Sequence, residues 1–208
     1  PAGKGLVYWA TDRESYIGLA YNTNSIQGNA VPKVFDDLLK RELKGKIGFA
    51  TSDTGNRVIA AMLASKGPEF VQKLKGQQIA LHSVSGRAIL DMVISGELGV
   101  SPTVFLSHSR VSIDKGAPIK WVPMDLVPAI SGGVALFSHA QHPYGALLLV
   151  DFLLSPEGQK MLIETFKHGS ATKDYGFKRW YPEEGLTTSQ YDQTMDKWQK
   201  LVTEFMRK

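Results

Sequence analysis

The chain has 208 residues, 43% hydrophobic and 21% charged, with 24 Lys plus Arg against 20 Asp plus Glu and a formal charge of +4. That balance argues against a disordered chain and against the concentrated basic stripe of a nucleic-acid binder. The lack of cysteine excludes disulfide frameworks, thiolate metal sites and cysteine nucleophiles, and no apolar run approaches the roughly 20 residues that cross a bilayer. The excess positive charge falls within residues 25–127, whereas 128–159 contain no Lys or Arg, a mild bias toward anionic ligands. Because Pro1 stands where a Met would start a chain and no apolar secretory segment precedes it, the sequence reads as processed or cut from something longer.

In chain order, Tyr16–Tyr21 reads as a buried strand ended by Asn22-Thr23-Asn24-Ser25, and Pro32 opens a short helix through Leu39. Lys46–Ala50 reads as a core strand. Val58, Ile59, Met62 and Leu63 share a helical face, which makes Ser52-Asp53-Thr54-Gly55 a strand-to-helix turn; Gly67-Pro68 ends that helix. A helix with Phe70, Val71 and Leu74, a strand at Gln78–Leu81 and a helix with Ala88, Ile89, Met92 and Val93 follow, the last introduced by Ser83-Val84-Ser85-Gly86-Arg87. Strands are expected at Pro102–Leu106, Ile119–Val122 and Gly133–Phe137, then a helix at Tyr144–Leu154. Ser155 as N-cap with Pro156 at the first helical position starts another helix. Met195, Trp198, Val202 and Phe205 form the stripe of a final core-facing helix. The alternation of strand and helix predicts an α/β fold.

Most catalytic chemistry finds no support. There is no GxxxxGK[ST] phosphate loop, and Gly3-Lys4-Gly5 runs on to Tyr8 where a dinucleotide fingerprint needs a third glycine. His139 and His142 have no third ligand at recognisable spacing, so no metal site is expected, and no GxSxG elbow frames a nucleophile. Two turns do carry usable physics. Ser52, Asp53, Thr54, Gly55 and Asn56 precede one helix; Ser83, Ser85, Gly86 and Arg87 precede the next. Outward-pointing amides and hydroxyls at a helix start suit a carboxylate or phosphate, and a guanidinium can grip an oxyanion in two places. Either turn taken alone is better explained by plain N-capping, which almost every helix needs. Two such turns at the same ends of adjacent parallel strands would face one crevice.

Four segments, taken in order and spacing, resemble a known family: Tyr16–Thr23 (YIGLAYNT), the strand entry Leu43–Gly48, the turn Ser95-Gly96-Glu97, and His142-Pro143 followed by Asp151–Gln159 (DFLLSPEGQ). From about Trp9 to Gln159 the chain resembles the extracellular solute-binding proteins of bacterial ABC importers, nearest the group of ferric-iron, thiamine and phosphonate or organic-phosphate binders. The resemblance implies the type II periplasmic-binding-protein fold, two α/β lobes joined by crossing strands that close like a hinged clamp. It also implies that the N-terminal part is missing: residues 1–24 would be a hinge strand and a remnant of lobe 1, 25–127 a nearly complete lobe 2, and 128–208 a mostly helical return to lobe 1. The implied function is non-enzymatic capture of a small, anionic solute, organic or phosphorylated, for delivery to a permease. Such a protein would be periplasmic and monomeric, without cofactor, metal or nucleic acid, and would meet the membrane only through the permease. By analogy Ser52, Asp53, Thr54 and Gly55 form the anion-gripping turn and Ser85, Gly86 and Arg87 the next helix start. Ser107 and His108 fall in the segment where ferric binders place adjacent tyrosines. Val104–His108 contains no tyrosine, which ranks an anion above iron. The alternatives are a ferric binder of the same family, or an enzyme or sensor domain that reuses the clamp.

Overall fold

A computed structural model describes residues 9–170 and 173–204; Gly3-Lys4-Gly5, Tyr8 and Phe205 lie outside the described residues. The elements are β1 (Trp9–Asn22), β2 (Gly48–Ala50), α1 (Asp53–Leu74), β3 (Ala80–His82), α2 (Gly86–Ser95), β4 (Val100–Phe105), α3 (Leu106–Asp114), β5 (Ile119–Val122), β6 (Val127–Ala135), α4 (Pro143–Leu154), α5 (Pro156–Glu164), β7 (Arg179–Trp180) and α6 (Thr188–Glu204). The chain divides into two units. Among the described residues, 9–15 and 130–175 form the first, and 16–129 with 176–204 the second. The boundary falls inside two strands, between Ser15 and Tyr16 in β1 and between Ala129 and Ile130 in β6.

In the second unit, β2 and β3 pair in parallel, Gly48 opposite Ala80 and Ala50 opposite His82. A parallel bridge between Ile47 and Val100, and the Ala50 amide donating to Thr103 Oγ1 at 3.1 Å, lay β4 on the other side of β2. The latter half of β1 runs antiparallel between β4 and β5, with Ile17 opposite Phe105 and Leu19 opposite Val122. Ala20, Ala50, Ile89, Leu90, Val93, Leu98, Val104 and Ile119 make one buried core cluster between these strands and α2. Two glycines let the helices start tight against the strands. A Cβ on Gly55 would sit 1.8 Å from the Ala50 carbonyl oxygen, and one on Gly86 3.3 Å from that of Thr103.

Several expectations meet their elements within a few residues. The turn residues predicted to end the first helix produce a kink: Gly67 adopts φ 78°, and helical backbone resumes to carry Phe70, Val71 and Leu74 into the core. The segment opened by Pro32 forms only a 3-10 turn, Phe35–Leu39. The strand expected at Gly133–Phe137 lies earlier, at Val127–Ala135, because Val127 and Pro128 pair in parallel with Arg179 and Trp180, partners too distant in sequence for local pattern to reveal. The chain from Gly176 onward belongs to the second unit, where α6 packs along α1 and Asn56 Nδ2 donates to Gln199 Oε1 at 2.9 Å.

In the first unit, Glu14 and Gly169 exchange backbone hydrogen bonds of 2.8 and 2.7 Å. Gln159 Nε2 donates to the carbonyls of Asp12 (2.7 Å) and Leu153 (2.8 Å), tying α5 to β1 and to the end of α4. Ser155 caps α5 by accepting from the Gly158 amide at 3.2 Å. Helix α4 is apolar nearly all round, a composition normally found inside proteins, yet none of its residues is buried; Tyr144 is 83% and Leu148 70% exposed. An apolar surface of this kind marks a face built for burial.

Two outcomes follow from these contacts. Gly55→Ala should lower stability by about 3 kcal/mol, because the obstacle is backbone rather than a movable side chain, while Gly76→Ala, which meets nothing within 4 Å, should not; urea denaturation of both variants decides. Burial, reinforced by the charge of Arg13 against the opposing one of Asp12, holds the His168 imidazole below its ordinary pKa. The unfolded chain therefore takes up this proton first, so the stability His168 contributes is present above about pH 6.5 and lost as pH falls toward the lowered folded value. The urea midpoint should drop between pH 7.5 and 5.5 less steeply in His168→Gln than in wild type.

Candidate functional site

Because β3, β2 and β4 are parallel neighbours, their C-terminal ends share one edge, and each hands over there to a helix: α2, α1 and α3 respectively. Every site residue anticipated from the sequence lies along that edge. Ser52, Asp53, Thr54, Gly55 and Asn56 open α1, Ser85, Gly86 and Arg87 open α2, and Ser107 and His108 lie in the first turn of α3. The Thr51 amide donates to the His82 carbonyl at 3.0 Å, fastening the first two turns side by side.

The residues at these turns are committed to very different degrees. Ser85 is an ordinary N-cap, accepting from the Ala88 amide at 3.2 Å. Arg87 is engaged with its own surroundings, donating to Asp91 at 2.5 and 3.3 Å and to Ser112 Oγ at 3.0 Å. Gly55 and Gly86 serve the close helix-on-strand contact, and the buried Asn56 holds α6 through its amide nitrogen. Ser107 is buried, while the His108 ring meets Phe105 edge-on at 5.4 Å.

Ser52 differs from all of these. It occupies the N-cap position of α1, yet its side chain makes no capping bond, and its Oγ is enclosed without a hydrogen-bond partner. The first amide to bond back toward Ser52 is that of Gly55, at 2.8 Å, so the preceding amides of Asp53 and Thr54 belong to the outward-facing set at the positive end of the helix dipole. His82 adds a second uncommitted atom, since its Nε2 is likewise enclosed and without a partner. Sequence reading passed over His82, whose place at the end of a three-residue strand gives no local signal.

Behind the first turn of α1 lies a charge cluster that was also not anticipated. The Arg57 side chain, only 5% exposed, binds Asp53 Oδ2 at 3.3 Å, Glu183 Oε1 at 2.5 Å and the Tyr191 hydroxyl at 2.9 Å. Burial by itself would lower the Arg57 pKa, but the charges of Glu183 and Asp53 raise it above its ordinary value. The same burial raises Tyr191. Asp53 and Arg57 have the spacing of an ordinary helical ion pair; that Glu183 and Tyr191 close on the same guanidinium depends on the C-terminal segment folding back. Among the described residues no group of three or more His, Cys, Asp or Glu side chains could hold a metal ion, and no helix is long and apolar enough to cross a membrane.

Parallel strands thus deliver three helix starts to one edge, where one hydroxyl is left unspent. The profile of a bacterial extracellular solute-binding protein family matches residues 6–185. The chain belongs to that family. The fold agrees with solved structures of solute-binding proteins. The substrate-binding protein of an ABC transporter from Agrobacterium tumefaciens superposes with a TM-score of 0.73 at 14% identity, over 94% of this chain and 67% of the other. The periplasmic binding protein AfuA from Actinobacillus pleuropneumoniae, with fructose-6-phosphate bound, gives 0.64 at 22% identity, over 95% and 67%. Iron-bound HitA from Pseudomonas aeruginosa gives 0.61 at 20% identity, over 98% and 70%. This solute-binding chain thus spans about two thirds of the length of the structures it resembles. No curated protein matches it significantly.

The charge cluster yields a testable cost. Glu183→Gln should destabilise the protein by about 2 kcal/mol, since it leaves a buried guanidinium with only the half-exposed Asp53 as counter-charge. An unchanged urea midpoint would show that the pair contributes no more than a surface ion pair.

Proposed function

We propose that this chain is the solute-capturing component of a bacterial ABC importer, acting outside the cytoplasmic membrane, and that its solute is a small organic or phosphorylated anion seated at the start of α1. The observation that carries the reading is Ser52 Oγ, enclosed and unpartnered at a helix N-terminus. An oxyanion placed there would accept from that hydroxyl and from the outward amides of Asp53 and Thr54, in the favourable field of the helix. Asp53 opposes an anion at this position. Its carboxylate is drawn back along the helix by Arg57, which lessens the repulsion.

Arg87 plays a smaller part in this reading than the sequence suggested, because a solute would have to displace Asp91 and Ser112 to reach it. The weight moves to Ser52 and, beside it, His82. Of the solved relatives, one holds a phosphorylated sugar and another iron; the donor set here favours the first chemistry. Val104–His108 offers no phenol, and His108 alone is a poor hard ligand for ferric iron. The reaction asked of the protein is binding without transformation. Lobe closure over the solute would create the surface a permease recognises, and the protein would act as a monomer.

Calorimetric titration of the purified chain with inorganic phosphate, fructose 6-phosphate, ferric citrate and spermidine tests this reading. The phosphorylated ligand should bind best, and Ser52→Ala should weaken it by about 1.5 kcal/mol, roughly tenfold. Preference for iron or the polyamine, or an affinity that Ser52→Ala leaves unaltered, would overturn it.

A further inference from the structure

Among the hydroxyls and amides of the strand-end edge stands a phenyl ring. β4 hands over to α3 at Phe105, which occupies the N-cap position of that helix and makes no capping bond. This position favours Ser, Thr, Asp or Asn, whose side chains accept from the first free amides; a phenyl ring accepts nothing. Breaches of a local rule of this kind gather at functional positions. The ring is half-buried rather than sunk in the core. Part of it is occupied by its own fold: it lies 3.4 Å from where a Cβ on Gly86 would stand and meets the His108 ring edge-on at 5.4 Å.

Strand register brings Phe105 to the candidate anion turn. Ile47 lies opposite Val100, and the Ala50 amide reaches Thr103 Oγ1; the same offset sets Ser52 level with Phe105 on the neighbouring strand end. Ser52 Oγ is the uncommitted hydroxyl of that turn. A bare inorganic anion would use the hydroxyl and the outward amides and leave the phenyl face wet. A solute with a ring beyond its anionic group would use both, and contact between two rings stabilises by more than the area it covers.

We propose that Phe105 is a specificity-determining residue of the anion site, a stacking platform that selects phosphate monoesters carrying a ring over simple alkyl ones. This rests on the anion reading at Ser52 and refines it. Phenyl phosphate and methyl phosphate carry the same anionic group and differ in the ring, so calorimetric titration with both separates the two claims. In the wild type, phenyl phosphate should bind about fivefold more tightly than methyl phosphate. Phe105→Leu keeps an apolar side chain against Gly86 and removes the ring; it should abolish that preference and leave the affinity for methyl phosphate unaltered, with the melting temperature confirming the fold. Phe105→Met replaces it where the leucine variant does not fold, and Phe105→Tyr should retain the preference. Ser52→Ala should weaken both esters by a like factor. Equal wild-type affinity for the two esters, a preference that survives loss of the ring, or a loss shared by both esters in Phe105→Leu would overturn the role of Phe105 and leave the anion site standing. Failure of the wild type to bind either ester would overturn both.

Discussion

The carbonyl oxygen of Ala50 occupies the place where a side chain on residue 55 would begin, and the rest of the second unit depends on that contact. A helix can leave the end of β2 at once only if its third residue has no Cβ. Gly86 does the same for α2 against Thr103, less severely. With both helices seated hard on the strand ends, their first turns stand side by side at one edge, and amides that would otherwise face water are gathered there.

The same contact explains how a structural device and a binding device come to share residues. Gly55 is committed to packing and Asn56 to α6, while Asp53 is held by Arg57. What remains uncommitted is Ser52 Oγ, with His82 Nε2 at the neighbouring strand end. The α2 turn followed the opposite course: its serine caps, and its arginine is held by Asp91 and Ser112. Two turns of similar composition therefore differ in what they can offer a solute, and the difference lies in which donors and acceptors the fold has already used.

Arg57 links this edge to the end of the chain. A guanidinium that is 5% exposed has to be surrounded by acceptors, and only Asp53 lies within its own helix. Glu183 and Tyr191 supply the others, which draws residues 176–204 into the second unit and lets α6 lie along α1. Conversely α4, although packed against α5, leaves Tyr144 and Leu148 of its apolar surface exposed.

Local rules were sufficient wherever an element carried its own signal. The face of Val58, Ile59, Met62 and Leu63, the Ser155-Pro156 start and the break at Gly67 were all legible, because periodicity, capping and φ preference act over a few residues. So was the α/β character, and so was the edge on which the candidate residues would fall, since β2 and β3 alternate with helices. The register of β6 against β7, the recruitment of Glu183 and Tyr191 to Arg57, and the contrast between Ser52 and Ser85 were decided by tertiary structure alone. Hydrogen-bond satisfaction and charge pairing are settled by what lies nearby in space, and sequence separations of 126 residues for Arg57–Glu183 and 143 for Asn56–Gln199 leave no trace in local pattern.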